Sequence, residues 1–279
     1  MIAVQISGGL GNQFFQYATA KQLALTHNTQ VLLDISLYKT YKLHKYSLGH
    51  FQIPQFFFNS PSKVKKIWNL VFNKNKLYPY TLCLETAPFD PCVLNYPDNT
   101  YMSGYWGSEK YFKNIKNVLL EEFKLKEELP EEDKYFAEQI ENTNAVCLHV
   151  RRGNFVTNPQ TFATHGTCEI TYYQDAVQYM YENLNNPVFF VFSNDISWAK
   201  ENLSFIHPVI FKGGDESRNY IDFHLMRSCK HFIIANSTFS WWAAWTSVQS
   251  SNKQVVAPKK WFANPALLAE PMPSEWIIL

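Results

Sequence analysis

Short apolar segments alternate with helical periodicity through the second half of the chain. The apolar runs predict β-strands near residues 145–150, 188–192, 208–211, 231–235 and 254–257. Between them, apolar residues spaced three and four apart predict helices near residues 171–184, 196–202, 218–229 and 239–248. Strands and helices that alternate in this way form a parallel sheet with right-handed crossovers. The pattern therefore predicts a Rossmann-like domain in this half of the chain.

The first half shows the same pattern only at its beginning. A buried strand, a glycine-rich turn, a helix and a second strand predict a βαβ unit over residues 3–6, 7–11, 12–26 and 30–33. Residues 38–115 are rich in Tyr, Phe, Asn and Pro, and their pattern predicts no defined element.

A polar stretch at residues 127–144 interrupts the apolar periodicity. We place a domain boundary within this stretch. Residues 1–135 then form the first domain, and residues 136–279 form the second.

The composition narrows the class of protein. Hydrophobic residues at 46% and charged residues at 18% are typical of a globular protein, and a net charge of +1 gives no electrostatic basis for binding nucleic acid. The 5 cysteines form no CxxC pair, which favours a reducing compartment without structural zinc. The sequence begins without the features of a secretory signal, and no apolar run approaches the ~20 residues of a membrane span. We expect a cytoplasmic protein, with loose attachment to a membrane surface left open.

The segment Val146–Gly153 is an apolar strand that ends in a histidine, two arginines and a glycine. Strand side chains alternate, so His149 and Arg151 point to one face and Arg152 points to the other. Ligands bind outside the carboxyl ends of parallel strands, and a guanidinium group suits phosphate oxygens. The segment therefore favours a diphosphate site at Arg151, with ordinary surface charges as the alternative.

The glycine-rich turn that follows the first strand admits two further interpretations. A dinucleotide fingerprint would need a third glycine where Phe14 stands, which weakens an NAD-binding interpretation. Asp34 lies where a ribose-binding acid would, so an NAD-dependent oxidoreductase remains an alternative. The turn could also be purely structural, with Asn12 as the cap of the helix.

Polar residues end two later strands and interrupt one apolar helix face. Residues 193–195 fit either a ligand-facing edge or a helix cap, and the hydroxyl-rich residues 236–240 open a helix that could hold a second face of a phosphate. Asp222 shares a helix face with apolar residues, where a carboxylate needs a partner. That partner could be an internal arginine or the N1–H and N2 amino group of a guanine. No Asp-x-Asp pair suggests a metal that chelates a diphosphate, so arginine would have to carry the charge.

Five blocks occur in an order that resembles the bacterial α-1,2-fucosyltransferases of glycosyltransferase family 11 over most of the chain. The blocks are Gly8–Ala18, Tyr105–Trp106, His149–Gly153, Phe190–Asp195 and His231–Ala244. The resemblance implies an α/β fold of the GT-B type, with two Rossmann-like domains facing across a cleft. The first domain would bind the acceptor and the second would bind GDP-fucose.

The resemblance also implies the reaction. L-fucose would pass from GDP-β-L-fucose to the 2-hydroxyl of a galactose in a glycan, with inversion and without a metal or other cofactor. Such a galactoside 2-α-L-fucosyltransferase would serve polysaccharide or O-antigen biosynthesis. Peripheral contact with the inner membrane would come through a lipid-linked acceptor.

Site residues follow from the same resemblance. Arg151 would bind the diphosphate, His149 and Asp222 would contact guanine, and Asn12 would lie near the transferred sugar. The remaining donor-binding residues would be Gly9, Gly11, Asn236, Ser237, Thr238 and Ser240.

The general base is not identified by the sequence. Glu109 and His165 are candidates, and we group them with Arg151 and Asn12 as the catalytic set; Glu169 and Asp34 are further candidates.

Asn154 stands where the family usually has Asp after Arg-Arg-Gly. An amide cannot accept a proton as a carboxylate does, so we interpret this position as a structural partner for an arginine or a backbone amide. Besides the oxidoreductase, a non-catalytic sugar-binding protein whose aromatic residues cover a glycan remains an alternative.

Overall fold

The chain forms two compact units. The computed structural model describes residues 1–41, 43–59, 76–77, 80–213, 215–267 and 272–279. Within these residues one unit spans Met1–Lys126 and the other begins at Glu127. Each unit has its own mostly parallel β-sheet, so the fold is α/β, as the sequence predicted. The boundary drawn from the sequence, between residues 135 and 136, falls inside a helix of the second unit.

The first unit is built on a five-stranded sheet with strand order β2-β1-β5-β4-β3. Its elements are β1 (Ile2–Gln5), α1 (Leu10–Thr26), β2 (Val31–Asp34), β3 (Lys76–Leu77), β4 (Tyr80–Leu84), β5 (Thr100–Ser103) and α2 (Lys116–Glu122). All neighbouring strands pair in parallel except β3 and β4. The predicted βαβ opening is confirmed. The strands β3 to β5 lie where the sequence pattern predicted no element.

Helix α1 begins two residues earlier than the sequence indicated, because Gly9 rather than Asn12 is its N-terminal cap residue. Asn12 lies within the first turn, so the capping role considered for it is wrong. The preceding Gly8 has φ +73°, and a Cβ there would lie 2.7 Å from the Asn12 Nδ2 atom. Only glycine fits this turn without strain.

The second unit contains a six-stranded parallel sheet with strand order β11-β10-β9-β6-β7-β8. Its strands are β6 (Asn144–Val150), β7 (Pro187–Ser193), β8 (Val209–Lys212), β9 (His231–Ile233), β10 (Val255–Ala257) and β11 (Ile277–Ile278). Its helices are α3 (Glu131–Glu141), α4 (Asn154–Thr157), α5 (Pro159–His165), α6 (Ile170–Asn183), α7 (Ile196–Asn202), α8 (Asn219–Arg227) and α9 (Thr238–Thr246). Every strand and helix predicted for this half is confirmed.

Strand β6 lies at the centre of the second sheet. It pairs with β7 on one side and β9 on the other, and every residue after Asn144 is buried. A strand covered on both faces must be apolar throughout, which is why its sequence reads as a continuous run. None of the described helices is both long and apolar enough to cross a membrane.

Asp133 on α3 is a fully buried carboxylate. It accepts hydrogen bonds from Lys212, at the end of β8, and from Arg218, just before α8. A buried charge is tolerated only when it is paired and hydrogen-bonded. This carboxylate therefore ties α3 to the end of β8 and the start of α8.

We expect Asp133→Asn to lower the free energy of unfolding by about 3 kcal/mol, because two cations lose their buried partner. Urea unfolding measures the change. Glu131→Gln on the same helix is the control, since Glu131 pairs with Lys134 at a largely exposed site and should change stability by less than about 0.5 kcal/mol. Equal losses in the two variants would contradict the assignment.

Candidate functional site

The candidate site of the second unit lies at the carboxyl edge of its sheet. Because β6 to β9 all run parallel, the segments that follow them meet at the same edge. These segments are residues 151–154, 194–195, 213 with 215–218, and 234–240. The polar residues that follow these strands directly therefore lie along one edge.

His149 is buried next to the end of β6 and lacks a full set of hydrogen bonds. Only 5% of the residue is exposed, and its ring lies 5.9 Å from the ring of Phe239 on α9. Burial, with the nearby charge of Arg151, lowers the pKa of His149 to about 3. No described residue bonds its Nδ1 atom, although that atom is buried. A buried neutral imidazole with an unsatisfied nitrogen fits a site where a bound molecule supplies the missing hydrogen bond.

Arg151 is held by two neighbours in the chain that follows it. Its Nη2 atom donates a 2.6 Å hydrogen bond to Asn154 Oδ1. Its guanidinium carbon lies 5.0 Å from the centre of the Phe155 ring. The interpretation of Asn154 as the partner of an arginine is confirmed.

An aromatic stack continues from Phe155 and brings in His165. The two rings are stacked at 4.7 Å with an angle of 13°, and Phe262 lies 5.4 Å beyond His165. Burial lowers the pKa of His165, and the charge of Arg151 lowers it further. The structure thus brings His165 and Arg151, two of the four predicted catalytic residues, into one cluster.

Asn236 fastens the loop that carries His165. Its amide nitrogen donates to the backbone oxygens of His165, at 2.9 Å, and Trp261, at 3.3 Å. Its Oδ1 atom accepts from the thiol of Cys168 at 3.6 Å. The amide of Asn236 is therefore engaged within the protein.

Arg152 points to the opposite face, as strand alternation predicted. Its Nε atom pairs with Asp195 at 3.2 Å, and its guanidinium lies 4.1 Å from the centre of the Trp198 ring. Asp195 also caps α7 by accepting from the backbone N–H of Trp198. Arg152 therefore forms a structural ion pair, and the helix-cap alternative for Asp195 is confirmed.

Gly153, which follows the two arginines, occupies a position where no side chain fits. Its φ is +42°, and a Cβ there would lie 2.1 Å from the Nδ2 atom of Asn194. Asn194 in turn accepts a hydrogen bond from the backbone N–H of Arg152 at 2.9 Å. This arrangement fixes the direction in which the chain leaves β6.

The N-terminus of α9 carries the hydroxyl cluster. Ser237 is the cap residue, makes no side-chain capping bond and is partly buried, as is Thr238. Ser240 is fully buried, and its hydroxyl donates to the Ser237 backbone oxygen at 3.2 Å. The end of a helix with these groups favours a negatively charged ligand, and Ser237 and Thr238 are better placed than Ser240 to contact one.

Asp222 lies on α8, largely buried, with its carboxylate not hydrogen-bonded to any described residue. Burial raises its pKa to about 6, and the charges of Lys212 and Arg218 oppose that rise. Both cations are hydrogen-bonded to Asp133 instead. Arg218, the internal arginine that could have been its partner, therefore bonds Asp133 instead. Asp222 could accept hydrogen bonds from a ligand.

The other predicted site residues lie in the first unit. Gly9 is the N-terminal cap residue of α1, Gly11 and Asn12 lie in its first turn, and Glu109 starts a short 3-10 turn. The catalytic set is therefore divided, with Asn12 and Glu109 in one unit and Arg151 and His165 in the other.

Asp34, considered both as a base and as a ribose-binding acid, is only 2% exposed. It accepts hydrogen bonds from the Tyr101 hydroxyl at 2.7 Å and the Ser36 backbone N–H at 2.9 Å. Its two oxygens thus serve the structure of the first unit. Among the described residues, no three His, Cys, Asp or Glu side chains form a group that could hold a metal ion.

Comparison with known proteins gives a consistent result. The sequence signature described as Glycosyl transferase family 11 matches residues 1–279. An α-1,2-colitosyltransferase of Escherichia coli is 33% identical over 286 residues, covering 99% of this chain and 98% of that protein. The O-antigen biosynthesis glycosyltransferase WbnK of Escherichia coli is 31% identical over 291 residues, covering 92% of this chain and 94% of that protein.

Similarity extends to eukaryotic enzymes and to a solved structure. Galactoside alpha-(1,2)-fucosyltransferase 2 of Hylobates lar is 30% identical over 151 residues, covering 52% of this chain and 44% of that protein. The crystal structure of fucosyltransferase NodZ from Bradyrhizobium matches with a TM-score of 0.51 at 12% identity, covering 87% of this chain and 91% of that chain. This likeness identifies the fold as GT-B.

The pKa of His149 leads to a testable pH dependence of stability. Below pH 6.5 the unfolded chain takes up a proton at this histidine, whereas the folded protein does so only near pH 3. Wild-type stability should therefore fall as the pH decreases through this range. We expect the free energy of unfolding of the wild type to fall with decreasing pH more steeply than that of His149→Gln. The two slopes should differ by on the order of 1 kcal/mol per pH unit.

Urea unfolding at pH 7, 6 and 5 measures this difference. The other histidines are common to both proteins, so their contributions cancel. Identical slopes would show that His149 is not buried in its neutral form.

Proposed function

The chain belongs to glycosyltransferase family 11, and we propose that it transfers L-fucose from GDP-β-L-fucose to the 2-hydroxyl of a galactose in a glycan. The observation that carries the proposal is the presence of two residues at the edge of the second sheet. One is an arginine held in place by its neighbours, and the other is a neutral, buried histidine. Arg151 supplies the charge that a diphosphate needs, and the Nδ1 atom of His149 supplies an unsatisfied hydrogen-bonding group. The chain is a glycosyltransferase, so the two alternatives, an oxidoreductase and a non-catalytic sugar-binding protein, are set aside.

Relatives support the linkage more strongly than the sugar. The names of two relatives both specify α-1,2 transfer. The Escherichia coli enzyme, similar over the whole chain, is named for colitose, and the Hylobates lar enzyme, similar over half of the chain, is named for fucose. Colitose is fucose without its 3-hydroxyl, so the two donors would differ by one polar group. α-1,2-Colitosyl transfer is therefore the second candidate function. Product formation from GDP-fucose and GDP-colitose, measured side by side with a panel of β-galactosides, decides between them.

The proposed donor site uses residues of the second unit. Asp222, when ionised, would accept hydrogen bonds from N1–H and the N2 amino group of guanine, and His149 would contact the same base. Ser237 and Thr238 at the start of α9 would contact phosphate or ribose. Gly9, Gly11 and Asn12 of the first unit remain predicted contacts, with Asn12 near the transferred sugar.

The proposed reaction places negative charge on the departing diphosphate. The acceptor hydroxyl attacks the anomeric carbon on the face opposite the nucleotide, so the β-linked donor gives an α-linked product. Arg151 and the N-terminus of α9 would stabilise the leaving group, a role that needs no metal. His165 remains a candidate general base: burial and the charge of Arg151 lower its pKa, which favours the neutral imidazole but also makes it a weaker base. Glu109 is the alternative base.

The proposed setting follows from the acceptor. A lipid-linked glycan of the O-antigen type would be modified at the cytoplasmic face of the inner membrane, with the enzyme in peripheral contact. The O-antigen relative supports this setting.

We expect Arg151→Ala to lower kcat by on the order of 10²–10³, because the leaving group loses its main positive charge. Arg151→Lys should retain intermediate activity, since it keeps the charge but loses the fork of donors. Steady-state assays with GDP-fucose and a β-galactoside, with and without EDTA, measure both effects. Full activity of the alanine variant would overturn the role of Arg151, and loss of wild-type activity in EDTA would overturn the metal-independent mechanism.

The affinity for GDP should depend on the ionisation of Asp222. Its pKa is about 6, and only the carboxylate accepts two hydrogen bonds from guanine. Affinity is therefore lost as the pH falls through this value, and GDP should bind roughly tenfold more weakly at pH 5 than at pH 7.5.

Isothermal titration calorimetry of wild type and Asp222→Asn at both pH values tests this. The phosphates of GDP titrate equally in both experiments, so the difference isolates Asp222. A variant with the same affinity and pH dependence as wild type would contradict base recognition by this residue.

A further inference from the structure

A turn in the first unit, Gly104-Tyr105-Trp106, is held by a carboxylate that directly follows the neighbouring strand. The turn follows β5 directly, and Glu85 follows β4 directly. Glu85 Oε2 accepts from the backbone N–H of Tyr105 at 2.7 Å, and Oε1 accepts from that of Trp106 at 2.8 Å. Hydrogen bonds to an ionised acceptor are stronger than neutral ones, so this pair fixes two consecutive peptide units.

The conformation of the turn is one that a side-chain-bearing residue rarely adopts. Trp106 has φ +59°, and its indole is fully buried, edge-on to the ring of Tyr111 at 5.8 Å. Such a backbone persists only where its surroundings determine it, and such residues cluster at functional sites. The buried indole and the Glu85 carboxylate supply that determination.

Gly104 links the same turn to the glycine-rich loop after β1. A Cβ at Gly104 would lie 2.4 Å from the Cβ of Glu85, so no side chain fits there. The Gly104 backbone oxygen accepts from Gln16 Nε2 at 3.1 Å, and the same nitrogen donates to Ser7 Oγ at 2.9 Å. The carboxyl ends of β1, β4 and β5 are therefore joined by one hydrogen-bond network.

Tyr105 projects from this fixed backbone with 54% of its surface exposed. Gly104, the residue before Tyr105, is joined through Gln16 to Ser7, so the turn that carries Tyr105 lies next to the glycine-rich loop after β1. Tyr38 donates to the backbone oxygen of Gly8 at 2.6 Å, and Tyr41, 39% exposed, packs edge-on against it at 6.2 Å. Exposed aromatic rings thus flank the glycine-rich loop at the carboxyl edge of the first sheet.

We infer that Tyr105 is the platform on which a pyranose ring of the acceptor glycan stacks, and that Glu85 is the positioning residue that fixes this platform. The inference rests on the proposed function, because that function supplies a glycan acceptor. A pyranose has an apolar face of C–H groups that suits an aromatic ring. A ring already held in place loses little conformational freedom when the sugar binds.

The first test distinguishes the contribution of the Tyr105 aromatic ring to acceptor binding from that of its hydroxyl. Tyr105→Ala should raise the KM for the β-galactoside acceptor roughly tenfold and leave the KM for GDP-fucose and the affinity for GDP unchanged. Tyr105→Phe keeps the stacking surface and should keep an acceptor KM close to that of wild type. Tyr135→Ala is the matched control, because Tyr135 is 67% exposed on α3 of the second unit and should have no effect.

The second test examines Glu85 as a positioning residue. Glu85→Gln keeps the shape of the side chain but presents an NH₂ group to one of the two backbone N–H donors. Its acceptor KM should rise, while GDP affinity stays at the wild-type value. In a Tyr105→Ala background the same change should add nothing further, because Glu85 acts through Tyr105. Additive effects in the double variant would overturn the positioning role.

The outcomes distinguish this inference from the proposed function. If Tyr105→Ala transfers sugar with a wild-type acceptor KM, the platform is overturned and the proposed function stands. If the wild-type protein neither binds GDP nor uses GDP-fucose or GDP-colitose, the proposed function fails first. Thermal unfolding of each variant identifies any loss of folded protein, and a variant that stays folded with a raised acceptor KM supports the platform.

Discussion

Parallel pairing of β6 with β7 and β9 is the constraint on which the second unit depends. Because these strands share one direction, the chain leaves all of them at the same edge of the sheet. That edge receives the two arginines, the cap of α7 and the N-terminus of α9. Strand alternation then divides the arginines, so that Arg152 is committed to Asp195 and Trp198 while Arg151 faces the other way. One residue of the pair anchors the chain, and the other is held on the opposite side by Asn154 and Phe155.

The sequence predicted the second unit well for a physical reason. A strand such as β6, covered on both faces, must be apolar along its length, and the helices between such strands must turn one apolar face towards the sheet. In the first unit, β4 and β5 carry polar side chains at partly buried positions, such as Thr81 and Ser103. Strands of that composition do not stand out from irregular segments.

The candidate site could be predicted only in part. Strand alternation and the family resemblance pointed to His149 and Arg151, and helix spacing and the resemblance pointed to Asp222. The stack of Phe155, His165 and Phe262 joins residues that are distant in sequence, and no local pattern reports such a contact. Glu85 was missed for the same reason, since its hydrogen bonds reach across the sheet from β4 to the turn after β5.

Gly153 limits how the specificity of this enzyme could change during evolution. Its backbone conformation and the nearby amide of Asn194 leave no room for a side chain, so the position cannot vary whatever sugar is transferred. Asn154, the next residue, has no comparable restriction on its backbone, since it acts through a side-chain hydrogen bond to Arg151. Divergence around Arg151 can therefore proceed at side-chain positions, while the path of the backbone around them is inherited unchanged.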